Sequence, residues 1–406
     1  MHCDGPLTRQ EGVCHVHIVA LTNEYEPQII GGLGIVATRV AQRLAARGHE
    51  MTVVTRGRGP TVEDRTAQGV RVLRFPVDSV YYSAVAGGYA TETVAQYLHE
   101  TIATPDIVHV HSIHADRLAH RLHLRYGCPY IYTCHSLIAA ERSARPAARR
   151  LEARQRRLMR EASAVVSPSQ WQARIVERLV RGARSRSHVI PNGADGHSLT
   201  SMRHNQRFLY AGRVVRGKGV AELIQAVAIA RRRGLQLQLD IRGDGGRSYM
   251  QRLRRLVAKH KLRQAVRVLG PAPHTELLRV MPQYNGVILP SRGESFGLVA
   301  LEAMATGTPL LATRVGGLRD FVDEHAATVI DSAAPLAIAN ALQRVCRYPA
   351  DVELRRRRAH IRAERYRWGR CATRYERLFT SLAETRALPR VSDVLRGASA
   401  HSGETI

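Results

Sequence analysis

Short apolar runs alternate with longer amphipathic stretches along most of the chain, and glycines stand where one gives way to the other. The first run, Val13–Leu21, leads to a glycine-rich turn at Gly31–Gly34 and then to a helical pattern, Val36–Arg47. Gly48 closes that helix before a second strand, Met51–Thr55. Strand, turn, helix and strand make a βαβ unit, which implies a parallel sheet with right-handed crossovers. Further strands are expected at Val70–Phe75, Ile107–His111, Tyr130–Cys134, Ala164–Ser167 and Val189–Ile190, with helix-length segments between them. Pro191-Asn192-Gly193 is turn chemistry, and 194–206 is polar with weak periodicity, so the interdomain linker belongs there.

A second series follows: Phe208–Val214, the helix Ala221–Arg233, Leu237–Arg242, Val266–Leu269, Val287–Leu289, Leu310–Thr313 and Thr328–Ile330. The fold class is therefore α/β, with two Rossmann-like, doubly wound domains. Ligands of such sheets bind beyond the carboxyl ends of the strands, which here means a cleft between the lobes. A last helical stretch, 351–386, holds Trp368, Tyr375 and Phe379, and the tail 387–406 has too little apolar content to be anything but mobile.

At 406 residues the chain is too long for one ordinary domain, and 44% apolar residues suffice for two cores. No stretch is apolar enough to span a membrane, and Met1–Glu11 lacks the apolar centre of a secretory signal, so a cytoplasmic protein is expected. The six cysteines are scattered without metal-ligand spacing and should be reduced thiols. The formal charge of +27 first suggests a polyanionic partner. Lysine occurs only at Lys218, Lys259 and Lys261, however, and the arginines spread over helical segments such as 142–160 and 352–370, as on a solvated surface. With no zinc finger, RNP-type motif or basic zipper, nucleic acid is not the expected partner, while an anionic membrane surface or anionic acceptor stays open.

Four patterns of the second half fall in one order. They are Ala-Gly-Arg213-Val-Val-Arg-Gly-Lys218-Gly, then Gly243-Asp244-Gly245, then Pro-Ser-Arg-Gly-Glu294-Ser-Phe296-Gly297-Leu298-Val-Ala-Leu-Glu302, then Gly316-Gly317. Arg213 and Lys218 follow a strand at a glycine turn, where cations would neutralise a diphosphate, or else are exposed loop charges. Paired carboxylates suit hydroxyl donors because charge-assisted hydrogen bonds are the strong ones. The alternative for Glu294 and Glu302 is a helix cap and a solvated side chain.

In order and spacing these patterns resemble the retaining GT-B glycosyltransferases of the large family 4 group, over roughly residues 13–385. The resemblance implies domains at 1–194 (acceptor side) and 195–365 (nucleotide-sugar binding), with 366–386 returning as a helix to the first lobe. It implies that Glu294 takes hydroxyls of the transferred sugar and Glu302 those of the ribose, in a donor site that also includes Gly243, Phe296, Gly297 and Leu298. Arg213 and Lys218 would hold the diphosphate.

On the N-terminal side, Gly31-Gly32-Leu33-Gly34 lies at a strand-to-helix turn. It is either a tight turn or a place where backbone N–H groups meet phosphate, and the resemblance favours the latter for Gly32 and Gly34. His109 and His111 alternate onto one face of their strand. The resemblance gives His111 a contact with the transferred sugar and leaves His109 as a core residue. His135 is expected to line the cleft, and Ser169 is either a helix cap or a cleft serine. Tyr82 lies in the segment Asp78–Tyr97, where relatives diversify acceptor recognition. Trp368 should pack where the final helix returns.

The resemblance implies a UDP-, GDP- or ADP-sugar donor, no metal and no other cofactor, and front-face transfer in which the leaving phosphate helps take the acceptor proton. It does not identify the acceptor. The competing readings are a GT-B-like phosphorylase or epimerase and a non-enzymatic module that uses the basic surface. No lysine after Lys261 is available to carry pyridoxal phosphate, which counts against the phosphorylase.

Overall fold

The alternation of runs becomes two parallel sheets in the computed structural model, which describes residues 15–83, 88–141 and 146–387. In the first lobe the chain runs β1 (His17–Leu21), α1 (Gly32–Ala45), β2 (Glu50–Gly57), β3 (Glu63–Ala67), β4 (Val70–Pro76), β5 (Tyr82–Ser83), β6 (Gly88–Tyr89) and α2 (Thr91–Thr101). It continues through β7 (Ile107–Val110), α3 (Asp116–Tyr126), β8 (Tyr130–Thr133), α4 (Pro146–Glu161), β9 (Ala164–Ser167), α5 (Gln170–Leu179) and β10 (Ser187–Val189). The sheet order is β10-β9-β8-β7-β1-β2-β4-β3, parallel throughout except for β3 against β4. β3, Glu-Asp-Arg-Thr-Ala, is an exposed edge strand with no apolar alternation to announce it. β5 and β6 form a separate small hairpin with Tyr82 opposite Tyr89.

The second lobe holds β11 (Arg207–Ala211), α6 (Val220–Arg232), β12 (Gln238–Arg242), α7 (Arg247–Lys259), β13 (Val266–Gly270), α8 (His274–Val280), β14 (Gly286–Leu289) and α9 (Leu298–Ala305). β15 (Leu310–Thr313), β16 (Thr328–Ile330), α10 (Pro335–Arg347), α11 (Pro349–Ala363) and α12 (Trp368–Ala387) complete the chain. Its sheet, β13-β12-β11-β14-β15-β16, is all parallel. Successive strand residues face opposite sides and both sides are covered by helices, so the strands read as nearly continuous apolar runs.

One face of the first sheet, with Val19, Leu21, Val54 and Val110, packs against α2 and α3. The other, with Ile18, Val53, Ile107 and Ile131, packs against α1 and α12, whose Trp368, Cys371, Tyr375 and Phe379 share one stripe. The expected single stretch 351–386 is thus two helices, because the chain must leave one lobe and cross to the other. Arg367 is extended between them, bridged to Ala194, and the Ala194 N–H donates to the Tyr366 carbonyl at 2.8 Å. Both crossings lie side by side. Trp368 is buried, and any side chain at Gly193 would strike it.

The helix after the first strand begins at Gly32 and not at Val36, so Gly32 and Gly34 lie in its first turn and not in a preceding loop. Cys128, Cys134, Cys346 and Cys371 form no disulfide among the described residues; Cys3 and Cys14 lie outside them. So do residues 388–406 of the expected tail and Gly87 of the Asp78–Tyr97 segment. Among the described residues no helix is long and apolar enough to cross a membrane.

Candidate active site

The four glycine-bearing patterns of the second lobe interlock at the carboxyl ends of β11, β12, β14 and β15. Gly243 stands at φ +143°, and a Cβ there would strike the Gly212 carbonyl oxygen, so a side chain is excluded on both counts. The Val214 N–H donates to the Asp244 carbonyl at 2.7 Å, and the Arg292 N–H to the Gly217 carbonyl at 2.8 Å. The Gly317 N–H donates to the Glu294 carbonyl at 2.8 Å. Their order in the sequence is thus the order in which one connected surface is assembled.

On that surface Lys218 Nζ lies 2.6 Å from Glu294 Oε1, and both side chains are largely buried. Ser291 Oγ also donates to Glu294 Oε1, at 2.8 Å. The residues assigned to diphosphate and sugar are therefore one ion pair, in which each fixes the other. The Tyr210 hydroxyl donates to the Arg213 carbonyl at 2.7 Å and anchors the start of the same loop. Burial raises the Tyr210 phenol, and the Glu294 charge adds to that.

Glu302 sits just past the middle of α9 among apolar neighbours and is itself buried. His274 Nε2, from the start of α8, meets its Oε1 at 2.6 Å. Burial works to lower the His274 pKa, but the hydrogen bond and charge of Glu302 outweigh it and hold the imidazole above its ordinary value. Phe296 turns its ring inward onto Phe321, 5.1 Å between centroids, so any ligand contact at this position is left to its backbone. Gly297, at φ +95°, caps α9 and starts it at Leu298.

Leu298 reaches the first lobe. A Cβ on Gly32 would lie 3.8 Å from Leu298 Cδ2, so the amino ends of α1 and α9 face each other. Two helix dipoles and their free first-turn amides converge there, which favours an anion between the lobes. Glu24 already serves part of this turn: its Oε2 accepts from the Ile30 N–H at 3.0 Å and the Gly31 N–H at 2.9 Å. No motif in the sequence signals Glu24 or His274.

Three histidines stand at the carboxyl ends of β7 and β8. His109 Nε2 meets Thr133 Oγ1 at 2.8 Å, and Thr133 meets the Tyr375 hydroxyl of α12 at 3.0 Å, as a core residue should. Its ring centroid lies 4.0 Å from that of His111. His111 follows the last strand residue, and its Nδ1 lies 2.9 Å from His135 Nε2. Burial pushes His135 down to about 3 and, together with the neighbouring imidazoles, holds His111 well below its ordinary value. Both rings are neutral, each with one N–H, so one facing nitrogen donates and the other accepts. The tautomer of His135 thereby sets which nitrogen of His111 carries the proton.

Ser169 takes the first of its two expected roles, the helix cap, and also bonds to the other lobe. Its hydroxyl accepts from the Gln172 N–H at 3.1 Å, capping α5, and donates to the Ser295 carbonyl of the other lobe at 2.7 Å. Beside it the Gln170 N–H donates to Asp320 Oδ2 at 2.8 Å, a second link across the cleft that the sequence did not suggest. Tyr82 lies on the small hairpin of the first lobe, with the Arg56 guanidinium 5.2 Å from its ring centroid.

Comparisons with known proteins agree with this architecture. Residues 30–197 match the model of Glycosyltransferase Family 4, and residues 200–365 that of Glycosyl transferases group 1. The glycogen synthase of Mycobacterium tuberculosis (strain ATCC 25618 / H37Rv) is 30% identical over 376 residues, 86% of this chain and 90% of that one. The D-inositol 3-phosphate glycosyltransferase of Pseudarthrobacter chlorophenolicus is 29% identical over 371 residues, covering 84% and 88%. Among solved structures, sucrose-phosphate synthase from Thermosynechococcus elongatus superposes with a TM-score of 0.76 at 20% identity, over 91% of this chain and 100% of that one. Anabaena HepE in complex with UDP-glucose superposes at 0.73 with 20% identity, over 90% and 100%. The fold is that of the GT-B glycosyltransferases. The chain belongs to the group 1, family 4 glycosyltransferases.

Proposed function

We propose that the protein is a retaining, metal-independent glycosyltransferase acting in the cytoplasm on a UDP-, GDP- or ADP-sugar. In this reading 1–194 is the acceptor-side lobe, 195–365 the nucleotide-sugar lobe and 366–386 the returning helix. The observation that carries it is the Lys218–Glu294 pair, set beside Arg213 on interlocked loops below the facing amino ends of α1 and α9. Donor diphosphate placed there would meet Lys218, Arg213 and first-turn amides, with Gly32 and Gly34 on one side and Gly297 and Leu298 on the other. The loop bearing Gly243 supports this surface from below. The sugar would take Glu294, and the ribose hydroxyls Glu302.

In transfer the acceptor oxygen bonds to the anomeric carbon while the bond from that carbon to the phosphate oxygen breaks. The acceptor proton passes to the leaving phosphate, and the nucleoside diphosphate departs. Lys218 and Arg213 stabilise the negative charge as it builds, which is where preorganised cations act most strongly. His111, neutral and oriented by His135, contacts the sugar through a hydrogen bond without exchanging a proton. Nothing in this route calls on a metal, and the cationic exterior is a solvated surface or a membrane-facing one, not a nucleic-acid site.

The reading is tested by thermal-shift screening with UDP-, GDP- and ADP-glucose, followed by donor turnover with and without EDTA. One nucleotide should stabilise the protein, turnover should survive chelation, and the product anomer should match the donor by NMR. Loss of turnover with EDTA, or an inverted anomer, overturns the corresponding part.

A further inference from the structure

The acceptor side of the first lobe holds a cation that the donor site does not use. Arg56 is next to last in β2. Leu21 pairs with both Val54 and Val110, so Arg56 stands level with Ser112, one residue farther toward the cleft than His111. β2 and β7 are separated only by β1. Arg56, in step with Val54, projects to the face that α2 and α3 cover, whereas His111, in step with His109, projects to the α12 face. At the usual strand spacing their Cα atoms are about 10 Å apart at the carboxyl edge of the sheet, so a monosaccharide that meets both lies across that edge.

The surroundings of Arg56 are unlike those of its neighbours. Arg71 is paired with Asp64 at 2.7 Å, Arg74 lies 3.9 Å from Glu63, and Arg154 and Arg157 are paired with Asp116. Arg56 has no carboxylate partner among the described residues, and its buried Nε has no hydrogen-bond partner. Its guanidinium is held over the Tyr82 ring of the hairpin. A buried N–H without an acceptor costs free energy, and a guanidinium stacked on an aromatic ring keeps its edge free for a planar or tetrahedral oxyanion.

We propose that Arg56, stacked on Tyr82, binds an anionic group of the acceptor, a phosphate or a carboxylate, and so selects acidic acceptors over neutral ones. This rests on the glycosyltransferase reading. The donor diphosphate is already assigned to Arg213, Lys218 and the helix ends between the lobes, so the anion at Arg56 belongs to the second substrate. A guanidinium hydrogen-bonds such a group in a fork and fixes the acceptor by its far end, which leaves the hydroxyl near His111 free to react.

The experiment uses the full chain and its preferred sugar nucleotide. Release of nucleoside diphosphate without acceptor is read first; its absence overturns the function reading and this one with it. Matched acceptors are then compared: glucose with glucose 6-phosphate and glucuronate, fructose with fructose 6-phosphate, and myo-inositol with myo-inositol 3-phosphate. At least one acidic member should be favoured in kcat/KM by about 10- to 100-fold, the range of a hydrogen bond to a charged group. Arg56→Met, which keeps the stacking shape, should erase that ratio through KM, and Arg56→Lys should retain part of it. Donor turnover with no acidic preference in any pair overturns the assignment alone. So does a preference that survives in Arg56→Met, since a merely structural arginine would not change the ratio between paired acceptors.

Discussion

His274 Nε2 lies 2.6 Å from Glu302 Oε1, so the carboxylate buried in the apolar helix α9 is matched by an imidazole from the start of α8. Arg39 and Asp195 are the other charges that His274 feels, one from α1 and one from the crossing between lobes. Removing His274 leaves a buried carboxylate without its partner, which costs about 3 kcal/mol. Because the His274 pKa is raised on folding, its contribution is full below 6.5 and is lost as the pH rises through the raised value. Melting of wild type and His274→Ala should therefore differ most in mild acid and converge in alkali. A constant difference across that range would refute the ion pair.

Glu302→Ala should weaken binding of the bare nucleoside diphosphate, whereas Glu294→Ala should impair turnover with a smaller effect on that binding. The ribose is present before and after transfer, the sugar only before. Calorimetry with the diphosphate separates the two, and equal losses would contradict the division of roles.

Lys218→Ala should lower kcat by about 10²- to 10³-fold, with a smaller loss of donor affinity, because leaving-group charge is greatest in the transition state. Part of any affinity change will come from Glu294, which loses its cation. Lys259→Ala, exposed at the end of α7, is the control. Similar kcat in both variants, measured at saturating donor, would make Lys218 an ordinary charge.

Ser169→Ala removes both the α5 cap and a bond across the cleft, so it should destabilise by about 1 kcal/mol and loosen the lobes. Asp320→Asn keeps an acceptor for the Gln170 N–H and should be milder than Asp320→Ala. Small-angle scattering reads the outcome as a larger radius of gyration for Ser169→Ala and Asp320→Ala, larger still for the double variant. An unchanged radius in the double variant would show that these contacts do not hold the lobes together.

The strands were legible because nearly all are buried on both faces, and a run such as Leu310–Thr313 needs no partner to be recognised. β3 was not, since its residues face solvent and its pairing depends on β4 alone. The local pattern, helical throughout 351–386, gives no sign of the break at Arg367, which the need to cross between lobes imposes; only the resemblance implied a separate helix from 366. At the candidate site, Glu294, Glu302, Arg213 and Lys218 were named from the resemblance, whose motifs hold fixed spacings within one lobe, and the structure brings Lys218 and Glu294 into one ion pair. Arg56, His274 and Glu24 were missed because each draws its significance from a neighbour distant in space or lacking a motif, such as Tyr82 for Arg56. The pairings Lys218–Glu294 and His111–His135 join elements far apart in sequence, and only folding discloses them.

The position of α12 has a consequence for how the molecule is made. A nascent chain delivers β1 early, yet the face of its sheet carrying Ile18, Ile107 and Ile131 waits for Tyr375 and Phe379, which emerge after the whole second lobe. The lobe begun first is finished second. Release after residue 365, where the second family match ends, would yield a complete second lobe joined to a first lobe with an uncovered apolar face. Such a truncated chain should be recognised by chaperones and aggregate, and adding a separate α12 peptide should rescue it.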